Sequence, residues 1–357
     1  MFKKLSIENS SVVTGKGSLS ELARFLEKKK YTKHFILCDE NTSEHCLSKL
    51  ITCSELLHDA HIIETESGES AKVMETCEQL WLTLQEHHAD KNSVMINLGG
   101  GVITDMGGFV AALYKRGIPC INVPTTLLAM VDASVGGKNG IDFNGVKNLI
   151  GTIIQPELVI IDPVFLGSLS PRQIKNGMAE ILKIAAVADA GFFKKIKPFK
   201  TPAQFIHEDI IFQSVKLKHA IVKKDPHEKH LRKCLNYGHS IGHALESACL
   251  LSGMDVLHGE AVAAGMLIET YIAWKSKATS KSTLNQVIQL VHRHFEKINI
   301  TPAMEEQILD FIKHDKKNIQ QAVVMAVVTD IGKFDLLKQV RSEIIREGIH
   351  FYSSQAR

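Results

Sequence analysis

Three separated stretches of this chain carry side chains able to hold a metal ion. Asn236-Tyr237-Gly238-His239-Ser240-Ile241-Gly242-His243-Ala244-Leu245-Glu246 sets His239 and His243 four residues apart, so both imidazoles fall on one face of a helix. Gly238 and Gly242 are expected to leave room beside those imidazoles. Leu257-His258-Gly259-Glu260 places another histidine just ahead of a long apolar helical stretch. Upstream, Asn176-Gly177-Met178-Ala179-Glu180-Ile181-Leu182-Lys183 sets Glu180 in an apolar helical pattern, with Lys183 one turn on. One carboxylate and two imidazoles suit zinc and leave a coordination position open, which is the catalytic rather than the structural arrangement. A pair of hydrogen-bonded helix histidines and a surface Glu–Lys pair would produce the same letters. For the His-x-x-x-His spacing taken alone, that is the commoner outcome, and spacing does not make three distant segments converge.

Two further stretches are suited to anions. Leu98-Gly99-Gly100-Gly101-Val102-Ile103-Thr104-Asp105 reads as a strand end, a glycine turn and a helix starting near Asp105. Such a turn lets backbone N–H groups and a helix N-terminus approach a pyrophosphate. Gly99 and Gly101 meet the dinucleotide fingerprint, and Thr104 stands at its third glycine. Steric need for glycine at a strand–helix turn would give the same pattern. Pro124-Thr125-Thr126-Leu127-Leu128-Ala129-Met130-Val131-Asp132, then Gly136-Gly137-Lys138 and Lys147-Asn148, combine glycine with lysine. That combination fits an anion pocket or a flexible surface loop. The apolar neighbours of Asp132 favour its partial burial, where an unpaired carboxylate is costly.

To position these groups, the first half of the chain must alternate strands and helices. His34-Phe35-Ile36-Leu37-Cys38, Ile62-Ile63, Ser93-Val94-Met95-Ile96-Asn97-Leu98, Ile121-Asn122-Val123 and Leu158-Val159-Ile160-Ile161 are apolar runs of strand type. Ser18-Leu19-Ser20-Glu21 has capping-box spacing ahead of a helical stripe of Leu19, Leu22, Phe25 and Leu26. Residues 72–87 read as a helix with Val73, Cys77, Leu80 and Leu84 on one face. Strands alternating with helices imply a mostly parallel sheet covered on both faces. Near Pro171 the texture changes to helical patterns over 177–187, 210–224, 240–250, 261–276 and 284–297, then a small hairpin over 323–337. The expected plan is an α/β domain with a mostly parallel sheet over residues 1–168 and a mainly α-helical domain over 169–357. Lys194-Lys195-Ile196-Lys197 reads as a solvated loop or helix end.

With 357 residues, 45% apolar and 23% charged, the chain is of ordinary globular composition and long enough for about two domains of roughly 150 residues. Mean hydropathy near zero and a net charge of +3 exclude disorder as the main state. With 42 basic and 39 acidic residues there is no overall field for a nucleic acid or a membrane, although a local basic pocket is compatible with the composition. No apolar run reaches the roughly 18 residues that span a bilayer. Polar Glu8-Asn9-Ser10-Ser11 follows basic Met1-Phe2-Lys3-Lys4, where a signal peptide needs an apolar core. The seven cysteines (Cys38, Cys46, Cys53, Cys77, Cys120, Cys234, Cys249) include no Cys-x-x-Cys pair, so reduced thiols and a cytoplasmic location are expected. Of the 17 histidines, His87, His88, His227, His230, His292 and His294 are expected to be solvated.

Taken in order, these stretches resemble the 3-dehydroquinate synthase family. The blocks carrying the resemblance run from about residue 39 to 318. They include Gly99 to Asp105, Lys115-Arg116-Gly117, Val123 to Asp132, Gly136-Gly137-Lys138, Gly145-Val146-Lys147-Asn148-Leu149-Ile150-Gly151, Asn176 to Glu180, Asn236 to His243 and Leu257 to Glu260. The resemblance implies an N-terminal Rossmann-like NAD domain, a helical C-terminal domain, an active site in the cleft between them, and a homodimer. It implies NAD and a divalent metal, zinc or cobalt, as cofactors. The implied reaction, in the shikimate pathway of aromatic amino acid biosynthesis, turns 3-deoxy-D-arabino-heptulosonate 7-phosphate (DAHP) into 3-dehydroquinate and phosphate.

By this resemblance Glu180, His239 and His258 are the metal ligands. Asp39, Asn41, Glu69, Lys72, Gly100, Gly101, Val102, Asp105, Thr125, Thr126, Lys138, Lys147 and the turn from Phe165 to Ser168 would line NAD. Asp132, Lys138, Asn148, Lys183, Lys218, Arg232, Asn236 and one of Lys316 and Lys317 would hold substrate, and Arg116 would reach the phosphate of the partner subunit's substrate. Glu228 and His243 match positions assigned to proton transfer. The family's chemistry suits these residue types. Metal-bound vicinal hydroxyls favour hydride loss to NAD, and the resulting ketone acidifies the neighbouring C–H so that phosphate leaves by elimination. The substrate's own phosphate is a candidate acceptor for that proton. Return of the hydride, ring opening and an intramolecular aldol complete the reaction without consuming NAD. Lysines and Arg116 balance the phosphate dianion.

Departures from the family pattern are few. Thr104 stands where many members have a small residue, Asn139 follows Lys138 where Thr is common, and Tyr237 replaces a frequent Trp. None falls on an implied ligand. The rival readings are another sugar phosphate cyclase, acting on sedoheptulose 7-phosphate or glucose 6-phosphate, a metal-dependent polyol dehydrogenase, and a catalytically silent binding protein. Gly136-Gly137-Lys138, Asn236 and Lys316-Lys317 follow the dehydroquinate type against the first, and the phosphate-binding lysines argue against the second. The intact set Glu180, His239, His243 and His258 argues against the third.

Overall fold

A computed structural model of the chain describes residues 2–7, 9–144, 146–313 and 323–355. Its backbone contacts separate two units. One is Met1–Ser170 with Ile206–Lys223, and the other is Pro171–Phe205 with Lys224–Arg357. The sequence reading assigns everything after residue 168 to the second piece, whereas residues 206–223 group with the first. That stretch is helical, like its chain neighbours, so local pattern could not separate it from them.

The first unit is built on strands β1 (Lys3–Ile7), β2 (Ser10–Thr14), β3 (His34–Asp39), β4 (His61–Thr65), β5 (Val94–Gly99), β6 (Cys120–Pro124), β7 (Lys138–Phe143), β8 (Val146–Ile153) and β9 (Leu158–Ile161). Seven of these form one sheet in the order β1-β2-β9-β6-β5-β3-β4. Every pairing in it is parallel except β1 with β2. Helices α1 (Leu19–Lys29), α2 (Met74–Glu86) and α3 (Gly101–Leu113) belong to this unit. A parallel strand covered on both faces must be apolar almost throughout, and β5 is buried along its whole length. Its one polar side chain, Asn97, donates to Asn122 Oδ1 of β6 at 2.8 Å. Strand order reverses between β3 and β5, because the chain goes outward to β4 and returns to the other side of β3. Ligand sites of open α/β sheets form beyond the strand C-termini at such a reversal, here Asp39 of β3 and Gly99 of β5.

Several local expectations differ from the structure. Helix α3 begins at Gly101, a turn before Asp105. The reason is contact: a Cβ on Gly99 would lie 2.5 Å from Cβ of Ile103, so glycine lets the chain turn straight from strand to helix. Where a flexible surface loop is one of two readings, Lys138–Phe143 and Val146–Ile153 pair as the antiparallel strands β7 and β8. Ile141 pairs with Ile150, and Ile141 is buried in the core with Met106, Phe109 and Val110 of α3. The capping box at Ser18 does not form. Ser18 takes a helical φ/ψ and caps nothing, while the Glu21 carboxylate pairs with Lys4 and Arg24 instead.

The second unit contains helices α4 (Pro171–Ala188) and α5 (Ala190–Ile196). The next helix, α6 (Glu208–Lys224), lies almost wholly within the first unit. Then come α7 (His239–Leu251), α8 (His258–Lys275), α9 (Lys281–His294), α10 (Pro302–Lys313), the hairpin β10 (Val324–Asp330) with β11 (Lys333–Lys338), and α11 (Ser342–Ser354). Helix α8 is buried at every residue from Ala261 to Ala273 and packs against α4, α7, α9 and α11. A helix apolar all round belongs at a core centre. The basic stretch after Phe193 closes α5, as expected of a helix end. All seven cysteines are free thiols. Among the described residues, no helix is long and apolar enough to cross a membrane.

Of the histidines expected to be solvated, His294 is buried, with its ring set edge-on to Phe205 at 5.3 Å. It falls on the apolar face of α9, which histidine letters alone do not reveal. Burial pulls its pKa down to about 4, and Arg293 and Lys175 add to the effect. The folded state holds this ring neutral while the unfolded chain protonates it near pH 6.5. Its contribution to stability is therefore intact above that pH and is lost as pH falls toward about 4, by ~3 kcal/mol in all. His294→Phe should flatten the stability profile across this window relative to the parent, as measured by urea unfolding at stepped pH.

Candidate functional site

In the second unit Glu180, His239 and His258 meet. Glu180 lies mid-way along α4, His239 is the first residue of α7 and His258 the first of α8. Glu180 is 2% exposed, and its Oε1 is 3.6 Å from His239 Nε2 and 3.7 Å from His258 Nε2. These separations are too long for hydrogen bonds, and Oε1 makes none. Two donor atoms on one tetrahedral zinc ion sit roughly 3.3–3.5 Å apart. A buried carboxylate with open acceptor sites, facing two imidazole nitrogens at this spacing, fits a divalent cation. Oε2 is paired with Lys183. The His243 ring lies 4.9 Å from that of His239 and 5.6 Å from that of His258, and the three residues offer ring nitrogens within 4.8 Å of one another.

The far side of each ring is held by oxygen. His239 Nδ1 is 3.2 Å from the Tyr237 carbonyl, and His258 Nδ1 is 3.3 Å from Glu246 Oε2. Both oxygens suit a hydrogen on Nδ1, so each ring turns its Nε2 toward Glu180. Burial opposes a charge on His258, but the Glu180 and Glu246 carboxylates outweigh it and push its pKa up to about 10.

Three contacts bring the helix starts together. Glu269 of α8, fully buried, accepts from the Gly238 N–H at 2.6 Å and the Ile241 N–H at 2.9 Å, satisfying otherwise orphaned donors at the start of α7. Asn176 Oδ1 of α4 accepts from the Gly259 N–H of α8 at 2.6 Å. Arg172 of α4 meets Glu260 of α8 through two bonds of 2.9 Å. Gly238 and Gly242 serve packing rather than room beside the imidazoles. A Cβ on Gly238 would lie 2.8 Å from the Val262 carbonyl, and one on Gly242 would lie 3.1 Å from Val262 Cα, so these glycines let α7 lie against α8. Sequence reasoning assigned no role to Glu269, Glu246 or Asn176. A lone acid inside the apolar 261–273 run was the available signal for Glu269, and helical spacing from His239 and His243 was the signal for Glu246.

Glu228, Arg232 and Asn236 share the connection between α6 and α7, the last two in a short 3-10 helix over Leu231–Asn236. The Asp225 carboxylate accepts from the N–H groups of Lys229, His230 and Arg232 at 2.9, 2.7 and 3.0 Å. Glu228 adopts a left-handed φ of 57° and accepts from the Asn236 amide. Arg232 is 2% exposed and donates to the Pro226 carbonyl at 2.7 Å.

In the first unit a second cluster surrounds the turn after β5. Buried Lys72 donates to Asp105 Oδ2 and Asn148 Oδ1, each at 2.7 Å, with Glu69 at 3.9 Å. Burial works against the charge on Lys72, but Asp105 and Glu69 hold its pKa above the ordinary range. Gly100 caps α3, where a Cβ would come 3.2 Å from the Thr126 methyl. Gly101 and Val102 open α3, and the Thr125 N–H is bonded to the Gly99 carbonyl at 2.9 Å. Asp132 is paired with Lys218 of α6, which also donates to the Asp132 carbonyl at 2.7 Å. At the end of β3, Asp39 accepts from the Thr42 N–H at 2.8 Å, and Asn41 is exposed beside it. Lys138 opens β7, Lys147 stands in β8, and Phe165 is buried in a turn that ends at exposed Ser168. Exposed Arg116, with φ of 66°, borders a cavity of about 360 Å³ shared with Cys120, Gln155 and Glu157. Lys316 and Lys317 lie outside the described residues.

The 3-dehydroquinate synthase N-terminal family model matches residues 62–176, and the C-terminal model matches residues 177–318. The chain belongs to the 3-dehydroquinate synthase family. A 3-dehydroquinate synthase of Parabacteroides distasonis is 38% identical over 97% of this chain and 98% of its own. Among solved structures, 2-epi-5-epi-valiolone synthase of Streptomyces hygroscopicus, with NAD+ and Zn2+ bound, superposes with a TM-score of 0.81 at 27% identity, covering 99% of this chain and 98% of that one. A 2-deoxy-scyllo-inosose synthase complexed with carbaglucose-6-phosphate, NAD+ and Co2+ superposes with a TM-score of 0.85 at 24% identity, covering 98% and 99%, and at that identity speaks to fold alone.

Replacing Glu269 with Ala leaves the Gly238 and Ile241 N–H groups without their acceptor. The expected loss is at least ~2 kcal/mol of stability by urea unfolding, with faster amide exchange at those two residues than elsewhere in α7.

Proposed function

We propose that the chain converts DAHP to 3-dehydroquinate and phosphate, using NAD and a divalent metal. The observation that carries the reading is the convergence of Glu180, His239 and His258 on one point in a chain of this family. When bound, the ion supplies a Lewis acid for vicinal hydroxyls and NAD a reversible hydride acceptor, so no NAD is consumed overall. Glu180, His239 and His258 hold the ion. In the first unit, Asp39, Asn41, Glu69, Lys72, Gly100, Gly101, Val102, Asp105, Thr125, Thr126, Lys147, Phe165 and Ser168 are the groups for the dinucleotide. The glycine turn before α3 offers it backbone N–H groups, and Lys138 serves it as well as the substrate. Asp132, Lys138, Asn148 and Lys218 hold substrate from this unit.

In the second unit, Lys183, Arg232 and Asn236 hold substrate, with one of Lys316 and Lys317. Their cationic members balance carboxylate and phosphate. His243, one helical turn from His239, moves protons at the substrate oxygens, and Glu228 shares that task. A phosphorylated sugar acid is the substrate class, in keeping with membership of the 3-dehydroquinate synthase family. We also place the protein in the cytoplasm as a homodimer in which Arg116 reaches the phosphate bound by the partner subunit. The free thiols support the first placement. The exposed apolar side chains of Phe143, Val146, Leu149 and Ile153 on the β7–β8 hairpin support the second.

The test is incubation of metal-loaded protein with DAHP and catalytic NAD, following phosphate and dehydroquinate together. Stoichiometric NADH without phosphate release would mark a polyol dehydrogenase and overturn the reading. Chelation should abolish turnover, and Zn2+ or Co2+ should restore it. His243→Ala should keep metal and NAD affinity and lose about 100-fold or more in kcat. Full activity in that variant removes His243 from the chemistry.

A further inference from the structure

Two imidazoles face Glu180, yet they are anchored differently. His239 leans on the carbonyl of Tyr237, two residues earlier in its own segment, so its anchor comes with the chain. His258 opens α8, and its side chain is 25% exposed against 10% for His239. Its Nδ1 contact, at 3.3 Å, is to Glu246 Oε2 on a different helix, α7. Glu246 is 8% exposed. A carboxylate in that position does with a full charge what a carbonyl does with a dipole. It fixes the tautomer and ring orientation, and it raises the basicity of the opposite nitrogen more strongly.

We propose that Glu246 is a positioning residue of the metal centre, holding His258 by Nδ1 so that Nε2 is delivered to the ion. The inference rests on the metal-centre reading above. Glu246 does not touch the ion or the substrate; it acts through His258. A purely structural Glu246–His258 pair would act equally with and without metal, whereas a positioning carboxylate acts on metal affinity and on the ligand field.

The test uses full-length protein stripped by chelation and titrated with Co2+, followed by calorimetry and by visible absorption. Wild type, Glu246→Gln, Glu246→Ala and His258→Ala are compared. Glu246→Ala should weaken Co2+ binding 10–100-fold, as expected for loss of such an outer partner. Glu246→Gln keeps an oxygen for Nδ1 without the charge, so it should fall between wild type and Glu246→Ala and shift the cobalt absorption bands. Metal-free melting of Glu246→Gln should stay within about 2 °C of wild type. Co2+ binding by Glu246→Gln and Glu246→Ala within about twofold of wild type, with an unchanged spectrum, overturns the proposal. So does weakened binding matched by an equal loss of metal-free stability, which marks a structural pair. If wild type itself takes up no Co2+, or His258→Ala binds it as tightly as wild type, the metal-centre reading fails first and this inference falls with it.

Discussion

Burial of the Glu180 carboxylate is the constraint around which the second unit is arranged. A carboxylate that is 2% exposed has given up its water and must find compensation, since an uncompensated ion in a protein interior costs several kcal/mol. Lys183, on the same helix, supplies part of it. The rest must come from α7 and α8, so the starts of both helices have to reach α4. The observed contacts do this: the Asn176–Gly259 bond, the Arg172–Glu260 fork and the Glu269 cap tie these starts together. The glycines of α7 remove the side chains that would hold α7 and α8 apart. The polar centre and the packing around it are thus one arrangement, and each would be strained without the other.

The first unit solves a different problem. Its sheet must bury six parallel-paired strands and still bring a helix N-terminus to the end of β5. Glycine at 99 permits the chain to pass directly into α3, and glycine at 100 keeps that helix N-terminus clear beside Thr126. Lys72 then links Asp105 of α3 to Asn148 of the β7–β8 hairpin. A buried ammonium with two oxygen partners joins helix and hairpin, just as Glu180 joins helices in the second unit. In both places a buried charge acts as a register pin, because it is stable only when every partner is in position.

Much of this was legible locally. The strand runs at 34–38, 94–98 and 158–161 needed only apolar continuity, and the helices at 210–224 and 240–250 needed only periodicity. The features that escaped reading depend on partners far along the chain. The capping-box letters at Ser18 and Glu21 are correct, yet Lys4 and Arg24 claim the Glu21 carboxylate. The glycine-rich 136–151 region looks like a loop until Ile141 and Ile150 find α3. His294 carries the same letter as exposed His292, and only the packing of α9 against Phe205 buries it.

By itself the sequence determined the types of chemical group available, their order, most secondary structure, and through its ordered blocks the family. Those properties are local or cumulative, so spacing and composition carry them. Only the tertiary structure decided that Glu180, His239 and His258 share one point, that Gly238 and Gly242 serve helix packing, that Glu246 stands behind His258, and that Glu269 holds the backbone at the start of α7. The physical reason is that helical periodicity states which face a residue occupies but not which other face it meets. That meeting is set by burial of three helices at once, a property of the whole unit rather than of any segment.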